Sequence, residues 1–99
     1  MSEAKIQPKK DILVSGEQAV QIADALTATT MKMLQLLWVE PLDVSTIGKK
    51  LGLSQAYISE QVKLLAGLGL LNVSYVPGKR GIRKVCSPAV ERVTLLIKP

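Results

Sequence analysis

Residues 41–84 read PLDVSTIGKKLGLSQAYISEQVKLLAGLGLLNVSYVPGKRGIRK, and the order of elements in this stretch decides the fold. Asp43 is a helix cap, and residues 44–51 place Val44, Ile47 and Leu51 on one face at helical spacing. Gly52 suits the left-handed position that ends a helix, and Leu53 is expected to pack into the core as the chain turns. Ser54 caps a second helix over 55–66, whose inward face is Ile58, Val62 and Leu65, and Gly67 and Gly69 end it. Residues 70–76 are rich in β-formers, 77–81 carry turn chemistry, 82–86 read as the returning strand, and Pro88 breaks it.

Two short helices joined by a Gly-containing turn of three or four residues form the helix-turn-helix, which lays its second helix in a DNA major groove. With Ile58 at the centre of the buried face and 100° per residue, Ala56, Ser59, Glu60 and Lys63 point outward, Tyr57 lies on the flank and Gln55 sits at the helix start beside Ser54. Small and polar groups there let the backbone approach DNA closely. Gln55 suits adenine, Ser59 a base or phosphate, and Tyr57 a sugar or thymine methyl. Alone, this face is equally a solvated helix surface. The hairpin behind it favours DNA: Lys79, Arg80, Arg83 and Lys84 form a cationic wing suited to phosphates or the minor groove. Phosphate contacts supply affinity and register but little sequence reading.

Upstream, residues 1–10 are polar and aperiodic and read as a flexible tail, and 11–14 as a short strand. Ser15 and Gln18 have the spacing of a capping box for a helix whose stripe is Ala19, Ile22, Ala23 and Leu26. A second helix covers 28–39 with Met31, Leu34, Leu37 and Trp38 inward; Met31, Met33 and Trp38 read as core or interface, not a ligand pocket. Downstream, 90–97 reads as a further strand.

Ninety-nine residues make one domain, with a core built from Leu, Ile and Val because only three residues are aromatic. The net charge of +5 is carried entirely by residues 51–99, and four of the seven cations there lie within 79–84; on charge alone this fits a polyanion partner and an ordinary solvated loop equally. The longest run without a charge is 64–78, too short for a bilayer span of about 20 residues. The mixed-charge start has no apolar stretch after it, so no signal peptide is expected. One cysteine and no histidine exclude an internal disulfide and a metal cluster, and Cys86 reads as a small apolar strand residue, with a redox switch as the alternative. The carboxylates are scattered, and no nucleophile has a partner, so neither a catalytic residue nor a cofactor is expected. A soluble cytoplasmic protein is the expectation.

Residues 41–71, with Leu-Gly-Leu-Ser-Gln followed by Ile-Ser, resemble the ArsR-type winged-helix transcriptional regulators. Residues 25–37, ALTATTMKMLQLL, resemble that family's second helix, and 77–84, PGKRGIRK, is similar to wings in archaeal branches of it. The resemblance implies a homodimer on a palindromic operator. Three departures accompany it. Glu60 and Gln61 stand where members often carry a basic residue and a histidine; the Cys pairs and His of the metal sensors are missing; and 90–97 reads as a strand where many members end in a dimerising helix.

The expectation is an α+β winged helix-turn-helix domain over 11–99, with the helix-turn-helix at 43–67, the wing at 70–87 and a terminal strand at 90–97. Double-stranded DNA is its partner, bound sequence-specifically, with no membrane and no metal. Ser54, Gln55, Ala56, Tyr57, Ser59, Glu60, Lys63, Lys79, Arg80, Arg83 and Lys84 are the candidate contacts. Two other uses fit the same elements: a protein–protein module of transcription machinery, favoured by Glu60 and the apolar terminal strand, and sequence-independent architectural DNA binding.

Overall fold

The computed structural model describes residues 10–99. Of the tail expected over 1–10, Lys10 opens a strand and the remainder lies outside the described residues. In chain order the elements are β1 (Lys10–Val14), α1 (Gly16–Ala25), α2 (Ala28–Val39), β2 (Leu42–Asp43), α3 (Val44–Leu51), α4 (Gln55–Gly67), β3 (Leu71–Gly78), β4 (Gly81–Pro88) and β5 (Val90–Leu95). This is the α+β winged helix-turn-helix architecture.

The strands form two sheets. β4 lies between β2 and β3, antiparallel to both, and β1 pairs with β5 in parallel. Ile58, Val62 and Leu65 of α4 are all fully or nearly fully buried, as their spacing predicts. They share one core with Ile47 of α3, Met33 and Leu37 of α2 and Ile22 of α1. Leu42, Leu71 and Cys86 bring the three-stranded sheet into the same core. Truncating any one of the large residues to Ala would cost about 2–5 kcal/mol.

Four local expectations are corrected. Ser15 is extended at the start of α1 but its side chain makes no cap bond; Gly16 follows at φ 59°, so the chain enters the helix by a left-handed glycine instead of a capping box. Ala25, not Ala23, completes the buried stripe of α1. In α2 the buried column is Thr30, Met33 and Leu37, while Met31 and Trp38 are 41% and 49% exposed. That rotation is set by a reciprocal cap: Thr27 Oγ1 accepts from the Thr30 N–H at 3.2 Å, and Thr30 Oγ1 accepts from the Thr27 N–H at 2.8 Å. The Thr30 hydroxyl donates to the Ala25 carbonyl at 2.6 Å, which satisfies it inside the core. Finally, Leu53 is 38% exposed; the turn is held by its N–H, which donates to the Gly48 carbonyl at 2.9 Å.

Candidate nucleic-acid interface

The helix-turn-helix is built from short polar contacts around an apolar pin. The Thr46 N–H donates to Asp43 Oδ1 at 2.8 Å, starting α3. Gly52 ends that helix at φ 71°, ψ 33°, a left-handed conformation that glycine adopts without a Cβ penalty. The Tyr57 N–H donates to the Ser54 hydroxyl oxygen at 3.1 Å, starting α4. Gly48 is a residue that pattern reading passes over. A Cβ there would lie 2.8 Å from the Leu53 carbonyl oxygen, so glycine is what lets α3 meet the turn so closely.

Gln55, Ala56, Ser59, Glu60 and Lys63 are all exposed on α4, and Tyr57 is 40% exposed beside them. The structure therefore brings the expected helix residues onto the surface together, except that Ser54 is occupied as a cap. Glu60 and Lys63 border a shallow depression shared with Gln21 and Asp24 of α1. One carboxylate from α4 and one from α1 thus border that depression, with Lys63. The first five residues of α4, which include Gln55, Ala56 and Ser59, precede Glu60 and carry no acidic side chain, and the N-terminal end is the part that a helix-turn-helix points at bases.

The wing is the β3–β4 hairpin, paired without interruption from Leu71↔Pro88 to Gly78↔Gly81. Lys79 and Arg80 form its two-residue tip and are exposed. Gly81 takes φ 116°, which a residue with a side chain rarely adopts. Successive strand residues face opposite sides, so Arg83 and Lys84 part company. Lys84 stands across from Tyr75, and both are exposed. Arg83 turns the other way: its Nη2 donates to Asp43 Oδ2 at 3.1 Å. Gly78 makes room for this, because a Cβ there would lie 2.7 Å from Arg83 Cγ. Arg83, expected among the free wing cations, instead ties the wing to the cap of α3.

Asp43 thus serves two elements through its two oxygens. Hydrogen bonds from Thr46, and after them the contact with Arg83, hold its carboxyl below the usual aspartate range. Cys86 is fully buried, and desolvation pushes its thiol up, which makes it a packing residue rather than a reactive one. Cationic residues not foreseen as contacts are Lys49 and Lys50, exposed in the last turn of α3 just before the turn into α4. Their place at a helix C-terminus also complements the helix dipole, so their type alone carries no signal of DNA. Among the described residues no helix is long and apolar enough to cross a membrane.

No protein-family model matches the chain, and no curated protein matches it in sequence. Solved structures do match in fold. A homodimeric winged helix-turn-helix DNA-binding domain from Mycobacterium bovis, a possible ArsR-family transcriptional regulator, aligns with a TM-score of 0.63 at 22% identity, covering 74% of this chain and 65% of that one. HlyU from Vibrio cholerae, in its reduced form, aligns with a TM-score of 0.61 at 22% identity over 73% of each chain. A mutant of ZitR from Lactococcus lactis aligns with a TM-score of 0.55 at 26% identity, covering 64% of this chain but 42% of that one. The chain therefore spans under two thirds of the M. bovis domain and under half of ZitR. The resemblance to ArsR-type regulators is borne out at the level of fold: the winged helix-turn-helix is common ground.

Proposed function

We propose that this chain is a homodimeric, ArsR-type transcriptional regulator that binds double-stranded DNA, with α4 in the major groove and the β3–β4 wing on phosphates. One observation carries the reading: a doubly capped helix pair is followed directly by a hairpin whose tip exposes Lys79 and Arg80. The similarity to a homodimeric DNA-binding domain supports it. Gln55, Ala56 and Ser59 read base edges in this account, with Tyr57 beside them. Lys79, Arg80 and Lys84 neutralise phosphates, and Ser54 acts by placing the helix start. Neither a catalytic step nor a metal enters it.

A second reading has a specific basis. Asp24 and Glu60 edge the α4 surface with negative charge, which suits a protein partner better than a phosphate backbone. Selection of bound duplexes from a random pool separates the readings. The proposal predicts enrichment of a two-fold symmetric motif with half-sites about 34–36 Å apart. Binding without enrichment would mean architectural association, and no retention at low salt would mean a protein–protein module.

A further inference from the structure

One face of the wing is core at its base and bare toward its tip. In an antiparallel ladder, residues directly across from each other share a face, and successive pairs alternate. Val73↔Cys86, Tyr75↔Lys84 and Pro77↔Ile82 therefore lie on one face. Cys86 is fully buried there, whereas Tyr75 and Ile82 are 68% and 74% exposed and Pro77 is exposed as well. The tether from Arg83 to Asp43 uses the opposite face. Cations rim the apolar strip: Lys84 stands across from Tyr75, and Pro77 and Ile82 line a depression at the tip together with Lys79 and Arg80. Among the described residues, no carboxylate lines that depression.

An apolar strip beneath a cationic tip fits a polyanion with apolar walls. The minor groove of DNA is such a surface, with phosphates at its rims and deoxyribose along its sides. Its floor discriminates between base pairs: A·T pairs show acceptors only, whereas G·C pairs add the guanine N2 amino donor. The side chains of Lys79 and Arg80 donate and do not accept, and those of Pro77 and Ile82 are apolar. Together they match an A·T floor and leave a guanine amino group unpaired. We propose that the wing tip enters the minor groove with Ile82 and Pro77 against its sugars, and that Ile82 makes entry selective for base pairs lacking the guanine amino group. This rests on the DNA-binding reading and adds to it a specificity residue, Ile82, that the charge pattern did not mark.

Inosine differs from guanosine only in lacking that amino group, so duplexes of poly(dI-dC) and poly(dG-dC) present the same major-groove edges to α4. Filter binding of the full chain at low salt should hold poly(dI-dC) roughly three- to tenfold more tightly than poly(dG-dC). Ile82→Ser, whose hydroxyl can accept from the amino group, should bring the ratio close to one, and Ile82→Val should keep it. Ile82 is a surface residue, so thermal unfolding should be unchanged in both variants. Equal affinity of the native chain for the two polymers overturns the proposal and leaves DNA binding standing. A preference that survives Ile82→Ser overturns it too. Retention of neither polymer overturns this proposal and the DNA-binding reading together. Tighter binding to phosphatidylglycerol vesicles than to either polymer, lost in Ile82→Ser, would assign the strip to an anionic lipid surface and overturn it likewise.

Discussion

Arg83 has the charge and reach of a phosphate contact, yet Asp43 holds it at 3.1 Å. The two are forty residues apart in the chain, and nothing in their spacing announces the pair. Only the pairing of Asp43 with Val85, across β2 and β4, brings them together. Arg83 and Asp43 side chains are 53% and 27% exposed, so the ion pair itself adds well under 1 kcal/mol. Its role is to aim the wing. Because Asp43 is held below its ordinary pKa of 3.8, its contribution is present above that value and is lost as pH falls through the lowered one. The contact therefore persists throughout neutral pH. Asp43→Asn separates its two jobs, since asparagine still caps a helix but carries no charge. Stability should fall by less than about 1 kcal/mol, and the salt dependence of DNA binding should steepen by about 0.9 as Arg83 becomes free for a phosphate. An unchanged slope in a filter-binding salt series would show that Arg83 does not reach DNA even when released.

At the scale of elements, α3 and α4 were legible because apolar periodicity, caps and glycine stops agreed at both ends of each helix. α2 was legible in extent but not in rotation. Apolar residues lie nearly all round it, so the period could not choose between the column of Met31 and Trp38 and the column of Thr30, Met33 and Leu37; the Thr27–Thr30 cap and the buried Thr30 hydroxyl chose the second. Gly48 was invisible for another reason: its requirement comes from a carbonyl five residues on, across the turn. Two substitutions of identical chemistry should consequently have opposite signs. Gly48→Ala should lower stability by about 1–3 kcal/mol, because the close approach to Leu53 outweighs the gain in helix propensity. Gly67→Ala, with open space around its would-be Cβ at the end of α4, should raise stability by up to about 1 kcal/mol. Urea midpoints of the two variants decide it; equal effects would mean that the α3–turn contact is not tight in solution.

Across the whole molecule, the parallel pairing of β1 with β5 joins the two ends of the described chain, and Arg92 bonded to Asp11 reinforces it. The terminal strand was readable from its β-formers, whereas its partner and parallel direction were not, because strand pairing is a non-local choice. The same limit applies to the surface proposed to face DNA. Sequence reading assembled the α4 face and the wing tip, but it could not see that one wing cation is tethered or that Glu60 shares its edge with Asp24. What survives is a narrower claim, that α4 and three wing cations act together on DNA. The most direct measurement is the salt dependence of affinity for a duplex, comparing the native chain with one in which Lys79, Arg80 and Lys84 are replaced by Ala and Arg83 is kept. The account predicts weaker binding and a slope flatter by about 0.9 for each phosphate contact removed, up to roughly 2.7 in all. Unchanged affinity and slope in a folded triple variant would contradict it.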